Sequence, residues 1–171
     1  MKKVNTILSI TAASFMLFSC GDKKQDTTAP AETQTEQTET TTPEEVTGVQ
    51  IELSGNDAMQ FDKKEIRVPV GEKVTLVFKH TGKMDKAVMG HNFVLLNKGV
   101  DMAAFAQKAA TSTDTDHIPA DEVSNILAHT KMLGGGESDT IEFTVNEAGE
   151  YDFLCSFPAH FALMQGKLIA E

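Results

Sequence analysis

A short stretch near the end of the chain carries three side chains that bind soft metal ions. In segment 155–164, Cys155, His160 and Met164 are spaced by five and then four residues. A second imidazole, His91, stands upstream in a Gly-His-Asn sequence. Two imidazoles, one thiolate and a weak thioether form a trigonal site with a long axial sulfur, which selects copper and suits one-electron transfer. The sequence therefore predicts one copper ion that cycles between Cu(I) and Cu(II).

The same residues leave other interpretations open. A lone cysteine or methionine at a strand end is often an ordinary core residue. A cysteine–histidine hydrolase needs oxyanion donors and an orienting acid; neither is evident, so we expect a protein that is not an enzyme. A flexible, exposed site rich in methionine or histidine would instead indicate copper delivery or buffering, and this stays the second functional hypothesis.

Alternating apolar and polar residues predict the strands that must position these ligands. The segment 151–155 runs directly into the ligand loop, and turn-forming residues separate the others. Many short strands at this spacing favour an all-β sandwich. The predicted strands are 49–53, 74–78, 141–145, 151–155 and 166–170.

One segment between strands has a different pattern. Residues 101–110 are rich in alanine and predict a short helical insertion, with Asp101 as the residue that caps its first turn. Residues 120–126 are predicted to add another turn.

The overall charge limits the class of partner. The chain has a formal net charge of -10, whereas nucleic-acid binding needs a basic face. We therefore expect no nucleic-acid partner.

The N-terminal residues have the pattern of an export signal. Two lysines precede an apolar run, 7–18, that is too short for a comfortable membrane span. Leu17 and Ser19 before Cys20 resemble a bacterial lipoprotein processing site. This predicts a signal peptide over 1–19, a lipid on Cys20, and an exported, membrane-anchored protein on the periplasmic or cell-surface side. An ordinary cleaved signal, a spanning helix and a Cys20–Cys155 disulfide are the alternatives.

Residues 20–47 are predicted to form a disordered linker. From residue 21 onward this segment is rich in threonine and glutamate, with seven acidic residues and two lysines. Such a composition has too few apolar side chains to offset the entropy of ordering. We therefore expect a tether between the lipid and a folded domain over 48–171.

Residues 48–171 resemble the azurins, blue copper proteins of the cupredoxin family. Besides the ligand loop, the segments 55–61, 88–92 and 128–131 carry the resemblance. It implies a cupredoxin-like Greek-key β-sandwich with copper at one end. It also implies an electron-transfer function, in which no small-molecule substrate is turned over.

The resemblance also implies roles for individual residues. His91, Cys155 and His160 would be the equatorial ligands, with Met164 and the Gly90 carbonyl oxygen on the axis. Backbone N–H groups of Asn92 and Phe157 would donate to the Cys155 sulfur. An edge of His160 would reach the surface within an apolar patch for redox partners such as a cytochrome, oxidase, reductase or peroxidase. That patch comprises Met59, Met84, Val88, Met89, Phe157, Pro158, Ala159, Ala162 and Leu163.

Two features of the chain depart from or complicate the family pattern. Phe161 stands where the family commonly has a small residue, so it would either enlarge the patch or shield His160. His80 matches a histidine that can titrate with the redox state, although an ordinary core histidine with satisfied hydrogen bonds is the alternative. His117 is expected to be a simple loop residue.

Overall fold

The structure is a computed structural model that describes residues 48–171. The predicted signal peptide, the predicted lipidation of Cys20 and the predicted linker up to residue 47 lie outside the described residues. Within the described part, no helix is long and apolar enough to cross a membrane.

Nine strands form two sheets in the described part of the chain. One sheet has the order β2-β1-β4-β7 and the other β3-β9-β8-β5-β6. The pairs β1–β4 and β3–β9 are parallel and the remaining pairs are antiparallel. This arrangement confirms the predicted all-β sandwich. The strands are β1 Val49–Asn56, β2 Gln60–Phe61, β3 Glu65–Val68, β4 Lys73–His80, β5 Val94–Leu96, β6 Ile126–His129, β7 Ser138–Thr144, β8 Gly149–Leu154 and β9 Gln165–Ala170.

The core between the sheets follows from the alternation along the strands. In β4, Leu76 and Phe78 point inward and are fully buried, while their neighbours are partly or fully exposed. Phe61 packs edge-on against Phe78 and Phe153, with ring centroids 5.8 and 5.5 Å apart. The same core cluster contains Cys155 and Met164. Both sulfur atoms of the predicted site therefore belong to residues that are anchored in the sandwich core.

The predicted helical insertion is present between β5 and β6. It contains α2, Met102–Thr111, and two 3₁₀ turns, Thr113–Thr115 and Val123–Asn125. The carboxylate of Asp101 accepts hydrogen bonds from the backbone N–H groups of the second and third residues of α2, at 2.9 and 3.0 Å, which satisfies two donors of the first turn. A further single-turn helix, α1, spans Lys86–Met89 just before the His91 segment.

A second, smaller core joins the insertion to the sandwich. Phe105, Ala106 and Ala109 of α2 pack with residues of β5 and β8. Strand β5 is therefore buried on both faces, because Leu95 belongs to the main core and its neighbours Val94 and Leu96 belong to the smaller one. This explains why β5 has a continuous apolar sequence, which does not show the alternation of a strand with one exposed face.

Candidate metal centre

Three predicted ligands meet at one end of the sandwich. His91 precedes β5, and Cys155 follows the neighbouring strand β8 directly, with His160 five residues further on. Their ligand atoms all lie within 4.8 Å of one another. The Cys155 sulfur is 3.9 Å from His91 Nδ1 and 3.7 Å from His160 Nδ1. All three side chains are buried.

The position of His91 is fixed by backbone hydrogen bonds. Its N–H and C=O groups pair with those of Leu133, at 3.0 and 2.8 Å. The ring Nε2 lies 2.8 Å from the carbonyl oxygen of Asn56, which can only accept, so Nε2 carries the proton. The lone pair of Nδ1 therefore faces the sulfur. This is how an outer partner fixes the tautomer of a metal-binding histidine.

The other ligands lie on a loop that closes on itself. The Cys155 N–H donates to the carbonyl of Met164 at 2.9 Å, which joins the two ends of the loop. Between them, a 3₁₀ turn covers His160–Ala162. Ala159, just before this turn, has φ of 67°, a conformation that residues other than glycine seldom adopt. The loop geometry thus departs from regular structure at the residue next to a ligand.

The surroundings of the sulfur favour a bound thiolate. The backbone N–H groups of Asn92 and Phe157 donate to Cys155. Burial raises the pKa of the Cys155 thiol to about 12, while these two donors act in the opposite direction. A thiolate at this depth requires a compensating cation, because an isolated buried charge is strongly unfavourable. A metal ion is a cation of this kind.

Asn92 connects the two ligand segments. Its Oδ1 accepts from the Ser156 N–H, and its Nδ2 donates to Ser156 Oγ, both at 2.8 Å. Both residues are buried. The side chain next to His91 is therefore tied to the residue that follows Cys155.

Two further residues predicted as axial ligands lie beside the three. The Gly90 carbonyl oxygen is 3.8 Å from the Cys155 sulfur. Met164 is fully buried, and its methyl group lies against Gly55. A Cβ atom added to Gly55 would lie 2.5 Å from that methyl group and 3.2 Å from the His91 ring. The Met164 side chain and the His91 imidazole therefore both lie next to Gly55.

Both imidazoles are neutral at physiological pH. Burial is the main cause that lowers the pKa of His160 to about 4, with the neighbouring His91 as a second cause. Burial also lowers the pKa of His91. Two neutral nitrogen donors beside one sulfur, without a carboxylate in the cluster, form the donor set that a blue copper site requires. The residues present therefore fit copper.

The predicted apolar patch differs in its exposure from residue to residue. Met84, Val88 and Leu163 are exposed by 39, 58 and 53 %, and Ala159 and Ala162 are also exposed. The rest are half-buried: Met59, Met89, Phe157 and Pro158. His160 itself is only 3 % exposed. The expected edge of His160 at the surface is therefore nearly absent, because the surrounding protein buries the ring.

Phe161 turns away from this patch. Its half-buried ring packs against the smaller core that joins α2 to the sheet. The sequence analysis considered only an enlarged patch or a shielded His160, and the structure instead places the Phe161 ring against the core shared with the insertion.

His80 is an ordinary buried histidine in its hydrogen bonding. Its Nε2 donates to the Met89 carbonyl at 2.8 Å, and its Nδ1 accepts from the Gly82 N–H at 3.0 Å. Its ring stacks on that of His91 with centroids 4.2 Å apart. His80 therefore supports the upstream ligand by packing.

Two residues near the centre escaped the sequence analysis. Ser156 is the partner of Asn92, and a serine within the ligand loop carried no signal of its own. His117, expected to be a simple loop residue, packs edge-on against Phe157 with ring centroids 5.3 Å apart. Because His117 lies far from the ligands in sequence, this contact could not be predicted from the sequence.

Comparisons with known proteins agree with this geometry. A profile described as copper binding proteins, plastocyanin/azurin family, matches residues 47–171. Azurin-1 of Alcaligenes xylosoxydans xylosoxydans is 45 % identical over 122 residues, which are 69 % of this chain and 94 % of that protein. The outer membrane protein H.8 of Neisseria meningitidis serogroup B is 42 % identical over 119 residues, 68 % of this chain and 64 % of that protein. The crystal structure of reduced auracyanin from Roseiflexus castenholzii superposes with a TM-score of 0.65 at 39 % identity, covering 73 % of this chain and 98 % of that chain.

Proposed function

The chain belongs to the plastocyanin/azurin family of copper-binding proteins, and we propose that it is a membrane-tethered carrier of single electrons. Its domain is a blue copper electron-transfer protein. The observation that carries this conclusion is the buried cluster of His91, Cys155 and His160, whose ligand atoms lie within 4.8 Å of one another. Bound copper supplies the redox change between Cu(I) and Cu(II).

The protein's part is to hold its donors in place through both redox states. The neutral imidazoles present lone pairs, and the thiol of Cys155 must release its proton before it can bind a cation. The N–H groups of Asn92 and Phe157 then stabilise the sulfur's negative charge. Hydrogen bonds across the site leave these groups little freedom to move, so the nuclear rearrangement that accompanies electron transfer is small.

We propose that Met164 and the Gly90 carbonyl would also hold the copper, as weaker donors than the other three. In support, Met164 is buried beside the His91 ring, and the Gly90 oxygen lies 3.8 Å from the sulfur. The thioether of Met164, as a weak donor, would tune the reduction potential of the bound copper.

Electrons are proposed to enter and leave through the apolar patch near His160. Three exposed apolar side chains, Met84, Val88 and Leu163, support this role. A small apolar patch suits a brief encounter with a redox protein. A cytochrome, an oxidase, a reductase or a peroxidase would each fit such a surface.

The buried site argues against copper delivery or buffering. Rapid transfer of a metal to another protein requires accessible ligands, whereas His91 and Cys155 have no exposed surface and His160 has 3 %.

The raised pKa of the Cys155 thiol also argues against a hydrolase, because a nucleophilic cysteine needs a lowered pKa. Azurin-type proteins are electron carriers rather than typical enzymes.

We further propose that the protein is exported and anchored through a lipid on Cys20. The lipoprotein-like sequence before Cys20 supports this, as does the similarity of the domain to a protein named as an outer membrane protein. Replacing Cys20 with alanine should move the protein from the membrane fraction to the soluble fraction, with unchanged copper binding. Equal retention of both forms in the membrane would exclude the lipid anchor.

The central experiment is addition of Cu(II) to the purified, copper-free protein. We expect an intense blue colour, the narrow copper hyperfine splitting of a blue copper site in the EPR spectrum, and reversible one-electron reduction. Colourless binding, or rapid loss of Cu(I) to a chelator, would favour delivery or buffering instead.

A further inference from the structure

The helical insertion contacts the ligand loop at two places. The first is His117, whose ring packs edge-on against Phe157 at 5.3 Å. Phe157 in turn packs against the imidazole of His160, with ring centroids 4.6 Å apart. Three rings therefore connect the insertion to a metal ligand.

His117 is itself held firmly by α2. Its Nδ1 lies 2.9 Å from the Ala109 carbonyl oxygen, so the ring donates to the end of the helix. Its backbone N–H donates to the Ser112 carbonyl at 2.9 Å, and it adopts φ of 64°. A residue other than glycine keeps such a conformation only where its surroundings impose it.

The second contact is Phe161, the residue after His160. Its ring packs against the smaller core to which Ala109, Phe105 and Ala106 belong. Ala109 thus takes part in both contacts. Its carbonyl oxygen accepts the hydrogen bond from His117, and its methyl group lies in the cluster against which Phe161 packs. Both contacts come from the insertion: one reaches Phe157, which packs on His160, and the other reaches Phe161, the next residue.

We propose that α2 supports the ligand loop, and that His117 and Phe161 are the positioning residues through which it fixes the His160 imidazole. This inference rests on the proposed function and deepens it. The sandwich core fixes Cys155 and the His91 segment, whereas the turn that carries His160 depends on side chains of the insertion. In this arrangement the loop is held in its binding geometry before copper arrives.

The test is hydrogen exchange of the full chain, measured without copper and with copper bound. The amides of His160, Leu163 and Met164 report on the loop, since each donates within it. The amides of His91 and Leu133, which pair with each other's carbonyls, are the internal reference. In Phe161→Ala and His117→Ala we expect the copper-free loop amides to exchange about tenfold faster relative to the reference.

Two substitutions separate positioning from general loss of packing. Met102→Ala removes a half-buried side chain that packs against the same smaller core. His129→Ala removes an exposed histidine whose Nδ1 lies 3.1 Å from the Thr130 carbonyl. Both should leave the ratio of loop to reference exchange unchanged. Equal acceleration in Met102→Ala would overturn the specific role of Phe161.

Conservative variants keep the proposal testable if the alanine variants fail to fold. Phe161→Leu retains apolar contact and should restore most of the native loop protection. His117→Phe keeps the ring contact with Phe157 but loses the hydrogen bond to Ala109, so it should restore part of that protection. After copper loading, the reduction potential should shift in the alanine variants and return toward the native value in the conservative ones. Loop exchange within about twofold of the native chain in all four variants would overturn the proposal.

These outcomes are distinct from a failure of the proposed function. If the native chain gave no blue copper spectrum, the electron-transfer function would be wrong, whereas the copper-free exchange experiment would still decide whether α2 supports the loop.

Discussion

The two halves of the metal centre are held by different kinds of interaction. On the upstream side, His91 pairs with Leu133 through two backbone hydrogen bonds, and its ring donates to the Asn56 carbonyl. On the loop side, hydrogen bonds between neighbouring residues place His160, and the rings of Phe157 and His117 pack outside it. Backbone pairing holds one ligand, and side-chain packing positions the other.

This difference shows how a β-sandwich can hold a metal between rigid and adjustable parts. Backbone pairs continue the strand geometry, so the His91 position follows from the fold itself. The loop bears a thiolate, an imidazole and a thioether within ten residues, and no regular strand can direct three consecutive ligands to one point. Packing against other elements must supply the missing constraint.

The largest expected effect comes from removing the thiolate. In Cys155→Ser, the hydroxyl is a much poorer ligand for copper, so the blue colour should be lost entirely. The visible and EPR spectra of the copper-treated variant check this. A Cys155→Ser protein that remained blue would contradict the assignment of Cys155 as a copper ligand.

The second-largest expected effect is a loss of stability of the copper-free protein as the pH falls. The pKa of His160 is lowered from 6.5 to about 4 in the folded protein, so the unfolded chain binds the proton first. The free energy of unfolding should therefore decrease as the pH falls from about 6.5 to about 4, by about 3 kcal/mol from His160 alone. Urea unfolding at several pH values measures this.

His160→Gln should flatten that pH dependence. His91→Gln is the matched variant on the upstream side, where burial also lowers the pKa of the imidazole. Comparing the two slopes assigns the acid sensitivity to one half of the centre or the other. A His160→Gln slope equal to that of the native chain would show that the loop imidazole does not contribute.

A smaller loss is expected when the connection between the halves is cut. Asn92→Ala removes two hydrogen bonds and leaves the buried Ser156 groups without partners, at a cost of about 2 kcal/mol. Asn97→Ala is the control, since Asn97 is half-buried and donates one hydrogen bond to the Ser124 carbonyl. Equal losses of unfolding free energy in the two variants would mean that the connection adds nothing.

The smallest structural change is expected from Met164→Gln. An amide oxygen in an axial position favours Cu(II) over Cu(I) relative to a thioether, so the reduction potential should fall while the site stays intact. Cyclic voltammetry and the visible spectrum measure these two properties. An unchanged potential would argue that Met164 is a core residue and not an axial ligand.

The alternating sequences allowed much of the sandwich to be predicted. Strands β1, β4 and β9 contain the predicted segments, whereas β7 and β8 each end one residue before the predicted segments 141–145 and 151–155. Helix α2 begins directly after its predicted cap, Asp101. Strand β5 did not show the alternating pattern because it is buried on both faces. The short strands β2 and β3 and the irregular strand β6 carried too few residues for a clear pattern.

For the metal centre, the types and spacing of residues were sufficient to predict copper. Two imidazoles, a thiolate and a weak thioether together favour copper, and three of these four predicted donors, Cys155, His160 and Met164, stand in one short segment. The sequence by itself thus determined the donor atoms, the strands that carry them and the acidic character of the chain, because these depend on residue identity and local periodicity.

Only the tertiary structure decided which distant residues hold those donors in place. Where the Phe161 ring packs, whether the hydrogen bonds of His80 are satisfied, and where the His117 ring lies all depend on contacts between segments far apart in sequence. Such contacts arise from the packing of whole elements against one another, and neither composition nor periodicity encodes their geometry.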